Sequence, residues 1–222
     1  MRTRFLACLL LVFFSFAQAS SWELKKDEDG IRVYVRDIKG SEFRAFRGTV
    51  EVSSSLGAIV AVLKDGDGTR QWLKDCEDSK FLSEFDPAGY LMYFRTDAPW
   101  PVKDRDYALR YKLEQDPQTL AVTLSFKGDA SLTPQRDECV RVSDIEGAWH
   151  MTPQPNGKIL LEYEVSADPN GSLPAWLANQ FVVDQPFYTL KKFRKQIQLP
   201  QYRDQRFDFI REPTGSASTD AR

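Results

Sequence analysis

The sequence predicts an α+β protein in which a curved antiparallel sheet grips one long C-terminal helix. Three observations carry this. Apolar residues recur at every second position through most of the chain, the spacing of strands with one buried face. Two stretches switch to helical spacing, a short one near residue 56 and a long one after residue 173. Turn-forming residues separate successive strand candidates at short intervals, which joins them as antiparallel neighbours.

The first nineteen residues stand outside that pattern. Arg2 and Arg4 precede an apolar run from Phe5 to Phe16, followed by the small residues of Ala17-Gln18-Ala19. This is the form of a secretory signal peptide, and the run is shorter than the roughly 20 residues needed to span a bilayer. Cys8 lies inside the run, too early for a lipid-modified cysteine. The expected product is exported, either periplasmic or secreted.

From Gly30, Ile31, Val33 and Val35 alternate with Arg32, Tyr34 and Arg36, and a less regular strand runs from Phe43 to Val52. Ser53 to Ser55 then offer capping hydroxyls to a helix whose apolar face is Leu56, Ile59, Val60 and Leu63, ended by Gly66. Trp72 and Leu73 suggest a further short turn. Strands Lys80 to Phe85 and Tyr90 to Thr96 are joined by Asp86-Pro87-Ala88-Gly89. The clearest alternation follows, Tyr107, Leu109, Tyr111 and Leu113, continued after Asp116-Pro117 by Leu120, Val122, Leu124 and Phe126. Val140 to His150 and Ile159 to Val165 form another pair across Pro153 to Gly157. Ser172 then caps, and Pro174 suits the first turn of, a helix whose face collects Leu177, Phe181, Phe187, Leu190, Phe193 and Ile197, with Trp176 packing on the sheet edge. Pro186 falls within it. Lys191, Lys192, Arg194 and Lys195 complement the dipole at its C-terminal end. Residues 201–222 lose periodicity and read as a frayed tail.

Composition limits what such a fold does. The chain of 222 residues, 42% hydrophobic and 28% charged, is globular and long enough for one domain. Thirty Lys plus Arg against 32 Asp plus Glu leave no basic excess for nucleic acid. One histidine and three cysteines leave little material for metal sites or redox pairs, so no metal, cofactor or catalytic residue is assigned. Cys76 and Cys139 remain either as a disulfide or as two small buried thiols. The 15 Phe, 8 Tyr and 5 Trp are the unusual feature, and on inward sheet faces they point to an apolar ligand.

Two longer motifs carry a family resemblance. Pro99-Trp100-Pro101-Val102-Lys103-Asp104-Arg105-Asp106-Tyr107 is similar to the P-x-P-x-x-x-R-D-[FY] segment of START domains, the steroidogenic acute regulatory protein-related lipid-transfer family. Asp168-Pro169-Asn170-Gly171-Ser172-Leu173-Pro174-Ala175-Trp176-Leu177-Ala178-Asn179 resembles the stretch that leads into that family's last helix. Gln71-Trp72 and Val140-Arg141 fall where the family has its own Trp and Val-Arg. The resemblance spans residues 22 to 200 and implies a helix-grip fold with an internal apolar cavity for one lipid, here a START-like domain over 20–200.

It also implies the lining. Met92, Phe94, Arg105, Tyr107, Leu109 and Tyr111 fall on the cavity face of the two central strands, joined by Trp149 and Tyr163 from the late strands and by Leu177 and Phe181 from the helix. Sterol-binding members carry a buried acid and a buried Arg at positions that align with Met92 and Tyr111, so a sterol held by such a pair does not suit this chain. Arg105 anchors a carboxylate or a loop, or touches the ligand. Trp100, between two prolines, is either packed under the helix or a gate and membrane-touching tip. His150 reads as a structural residue, without a recognisable nucleophile motif beside it. The expected function is binding of one lipid or other apolar molecule, for transfer or sensing outside the cytoplasm, by a monomer in transient contact with membrane surfaces. The alternative is an enzyme of cyclase or hydrolase type on the same scaffold.

Overall fold

A computed structural model describes residues 21–171 and 173–214, so the stretch expected to be a signal peptide, the expected cap residue Ser172 and the last eight residues lie outside the described residues. Ten strands form one sheet: β1 (Glu23–Glu28), β2 (Ile31–Asp37), β3 (Arg44–Val52), β4 (Cys76–Asp86), β5 (Gly89–Thr96), β6 (Asp104–Gln115), β7 (Val122–Gly128), β8 (Cys139–Arg141), β9 (Ile145–Pro153) and β10 (Ile159–Ala167). Helices α1 (Leu56–Lys64) and α2 (Thr69–Trp72) lie between β3 and β4, and α3 (Ala175–Gln196) and α4 (Pro200–Arg203) follow β10. The strand order is β1-β2-β3-β10-β9-β7-β6-β5-β4, all antiparallel, with β8 parallel to the start of β6.

The elements form where apolar spacing supports them. Ile31, Val33 and Val35 on β2 are fully buried while Arg32 between them is exposed. On β6 and β7, Leu109, Leu113, Val122 and Leu124 go inward in the same way. The Ser55 hydroxyl accepts the Ala58 N–H at 3.2 Å and so starts α1. At Gly66 a Cβ would stand 2.2 Å from the Phe81 backbone nitrogen, so only glycine lets the turn after α1 lie against β4.

Where the strands depart from the sequence reading, one-sided burial is missing. β1 carries no apolar alternation because it is an edge strand exposed almost throughout. β4, the opposite edge, is likewise mostly exposed and begins at Cys76 rather than Lys80. The single strand expected over 140–150 is two. β7 reaches β6 only as far as the Leu109–Gly128 pair, so β8 fills the free edge of β6 at Asp104–Asp106, and the chain then shifts to pair β9 with β7. Cys76 and Cys139 are free thiols. Through Thr96 and Arg105 they sit about three strand spacings apart, roughly 14 Å, twice the reach of a disulfide.

α3 packs in two unlike halves. From Pro186 onward, Pro186, Phe187, Thr189, Leu190, Phe193 and Gln196 are buried, whereas no residue of 175–185 is. The close approach occurs at Gly48 of β3, where a Cβ would lie 2.7 Å from Leu190 Cδ1 and 3.1 Å from Pro186 Cβ. Lys191 pairs with Asp29 at 2.6 Å, tying the far end of the helix to the β1–β2 turn.

Residues 201–214 do not fray as expected. Tyr202 and Ile210 are buried, and Phe207 and Phe209 pack on the core. The Glu212 carboxylate accepts the N–H groups of Leu56 and Gly57 at 2.9 and 2.8 Å, where the N-terminal end of α1 has unpaired donors. Arg211 and Gln115 exchange two further hydrogen bonds. These contacts follow no apolar period, so they leave no trace in hydrophobic spacing.

Candidate functional site

The looser first half of α3 leaves space between itself and the sheet. A cavity of about 530 Å³ lies there, walled by β3, β5, β6, β9 and β10, roofed by α3, and bounded by α2 and the 97–103 loop. Met92, Phe94, Arg105, Tyr107, Leu109, Tyr111, Trp149, Tyr163, Leu177 and Phe181 all line it. Pairing across the sheet brings the strand residues together: Met92 faces Leu109, Phe94 faces Tyr107, and Trp149 faces Tyr163.

Aromatic rings build the wall. Trp149 stacks on Tyr163 with centroids 4.1 Å apart and packs on Phe193 at 5.0 Å. Tyr111 stacks on Tyr90 at 4.8 Å, and Phe94 on Tyr107 at 4.7 Å. Each such pair contributes about 0.5–1.5 kcal/mol beyond the area it buries.

The polar groups of the wall are few. The Tyr90 hydroxyl donates to the Leu63 carbonyl at 3.0 Å and serves the core. Thr96 Oγ1 lies 3.5 Å from the Tyr107 hydroxyl. Burial pushes the phenols of Tyr107, Tyr111 and Tyr163 above the ordinary tyrosine range, and the Gln185 side chain nearby partly offsets this at Tyr163. All three are therefore uncharged at neutral pH. Among the described residues the Tyr111 hydroxyl has no hydrogen-bond partner.

Arg105 and Asp106 separate by strand alternation. Asp106 points to the convex side, fully buried, and accepts two N–H bonds from Arg141 at 2.9 and 2.8 Å. Arg105 points inward and donates to the carbonyls of Lys103, Pro169 and Asn170 at 2.6, 3.3 and 3.1 Å. It thereby anchors the loop that leads into α3, rather than a carboxylate.

Two tryptophans differ from expectation or settle it. Trp100 is 92% exposed and does not line the cavity, which removes the reading that packs it under the helix. Trp176 is 67% exposed instead of packed on the sheet edge. It precedes the inward-facing Leu177 by one residue, a turn of about 100° that carries it off that face. His150 lies on the convex side, its Nδ1 3.1 Å from Thr123 Oγ1, and takes no part in the cavity.

Sequence reasoning passed over further lining residues. Phe46 and Val165 belong to the same inward alternation as Tyr163 and were within its reach. Trp72, Val142 and Gln185 were not, because α2, the loop between β8 and β9 and the roof meet the cavity only through the tertiary fold. Chemically, the lining can desolvate an apolar body and offers a few uncharged donors and one buried cation.

Comparison with known proteins agrees with this geometry. The START domain profile matches residues 16–202. An uncharacterised protein of Pseudomonas aeruginosa is 35% identical over 178 residues, covering 80% of this chain and 87% of that protein. START domain-containing protein 10 of mouse is 24% identical over 195 residues, 82% of this chain and 63% of the mouse protein. The crystal structure of a STAR-related lipid transfer protein fragment from Xanthomonas axonopodis superposes with a TM-score of 0.75 at 36% identity, covering 80% of this chain and 99% of that one.

Proposed function

The chain belongs to the START domain family, and from that premise we propose that it carries one lipid at a time between membranes, or senses it, outside the cytoplasm. The fold supports binding of an apolar ligand in general. The observation that carries the reading here is the cavity of about 530 Å³ under α3, within the range that encloses most of a small apolar molecule. Burial contributes about 0.8 kcal/mol per CH₂, enough for a protein interior to compete with a bilayer for a chain.

Transfer requires access. The half of α3 before Pro186 and the 97–103 loop form the thin side of the cavity, and each presents an exposed tryptophan, Trp176 and Trp100. Tryptophan favours the membrane interface, so these two touch the bilayer while the roof opens. The protein works as a monomer, exported by the N-terminal leader to the periplasm or beyond.

The test is native mass spectrometry of the purified chain after exposure to lipid vesicles, with displacement of a fluorescent acyl probe. One bound lipid per chain is expected. Trp100→Ala combined with Trp176→Ala should slow transfer between vesicles at least several-fold and leave the equilibrium affinity within twofold. A chain that stays empty and binds no probe sinks the proposal.

A further inference from the structure

We propose that the cavity takes a single-chain amphiphile with an anionic oxygen head, carboxylate or phosphate, seated on Arg105 with its tail toward Tyr111 and Trp149. This deepens the lipid-carrier reading and rests on it.

Arg105 is only 5% exposed and lines the cavity. Its three protein partners are neutral carbonyls, which leaves two of the five N–H groups of a guanidinium unassigned. Of the carboxylates nearby, Asp104 pairs with Arg95 at 3.8 Å and Asp106 with Arg141 at 2.8 Å, while Asp97, which also lines the cavity, is exposed and forms no ion pair with Arg105. The other cations of the lining already have counter-ions, Arg44 with Asp37 at 2.8 Å and Lys74 with Asp75. Burial lowers the Arg105 pKa, opposed by Tyr107 and Asp104, the mark of a charge short of compensation. A buried cation without an ion-pair partner is costly, and an anionic head in the cavity relieves it.

The remaining space sets the tail. Arg105 and Tyr111 are six residues apart on β6, about 20 Å of extended strand. The far end, at Leu63, Trp72, Tyr111, Phe126 and Trp149, carries no charge, and its only polar groups are the neutral Trp72 indole N–H and the Tyr111 hydroxyl. A cavity of about 150 Å³ accommodates benzene, so 530 Å³ scales to about 20 carbon atoms. One acyl chain meets that limit, and a lipid with two such chains exceeds it.

The test is displacement of a fluorescent acyl probe from the purified chain by palmitate, hexadecyl phosphate and methyl palmitate. Both anions should bind about tenfold or more tighter than the uncharged ester, as hydrogen bonds to charged groups exceed neutral ones. Arg105→Gln should bring the ratio near one, whatever it does to the absolute affinities, and Arg105→Lys should fall between. Equal affinities in the unmodified chain overturn the anionic head, and that comparison holds even if Arg105→Gln does not fold. A preference that persists in Arg105→Gln overturns the assignment to Arg105. Dipalmitoyl phosphatidic acid competing as well as hexadecyl phosphate overturns the single-chain limit. Stabilisation by inorganic phosphate without any amphiphile preference marks a free-anion site and also overturns the proposal. Failure of every amphiphile and of the probe itself would instead remove the lipid-carrier reading.

Discussion

Asp106→Asn probes the strand alternation that separates the two charges of the Arg105-Asp106 motif. Asp106 is fully buried and Arg141 is 8% exposed, joined by two parallel N–H bonds of 2.9 and 2.8 Å. Arg141 also donates to the carbonyls of Ala130, Thr133 and Pro134, so it cannot swing out to water without releasing the loop over the convex face. The substitution therefore leaves a trapped, uncompensated guanidinium, which costs about 3–5 kcal/mol. At about 2–4 °C per kcal/mol for a chain of this size, Tm should fall by about 6–20 °C. Urea unfolding followed by tryptophan fluorescence gives the free energy, and calorimetry gives Tm. Because Asp106 faces away from the cavity, acyl-probe affinity measured well below Tm should stay within twofold. Replacing both partners, Asp106→Leu with Arg141→Met, should recover at least 1 kcal/mol of the loss, since no charge is then stranded. A loss under about 1 kcal/mol for the single variant, or a probe affinity that collapses while the fold persists, would refute the reasoning.

Two further outcomes follow from other parts of the fold. Glu212→Ala removes the acceptor of the Leu56 and Gly57 N–H groups and a negative charge at the start of α1, so the urea midpoint should drop by the equivalent of about 1–2 kcal/mol; an unchanged midpoint would mean that the strap does not hold α1. Burial pushes the Cys76 thiol up to about 11, so at pH 8 about 0.1% is thiolate against about a quarter of an ordinary thiol. Iodoacetamide should label it about 250-fold slower than a free cysteine, faster as pH rises toward 11, and labelling at the ordinary rate at pH 8 would contradict that environment.

Most of the sheet and much of the site could be read from spacing. Tyr107, Leu109 and Tyr111 were legible as one face because every second side chain of a strand shares its environment. β1 was not, because an edge strand open to water on both faces has no environment to alternate between. The strap through Tyr202, Ile210 and Glu212 escaped for a different reason: it is held by the Glu212 carboxylate on backbone N–H groups of α1 and by the Gln115 side chain at the end of β6, both far away in sequence. The outward Trp176 shows the limit at a helix start, where one residue's rotation separates a wall from a surface.

Apolar spacing at period two or 3.6 is a local record of one-sided burial, so the inward residues of the central strands and of the second half of α3 can be named without the fold. The sequence by itself also determined the family, through the two motifs around Arg105 and before α3. Only the tertiary structure decided that the inward faces enclose space instead of filling one another. That depends on how closely α3 approaches the sheet, which is tight at Gly48 and Leu190 and loose before Pro186. Likewise only the fold decided that Arg105 meets three carbonyls and no carboxylate. Distances between segments far apart in sequence are set by packing, and local spacing carries no term for them.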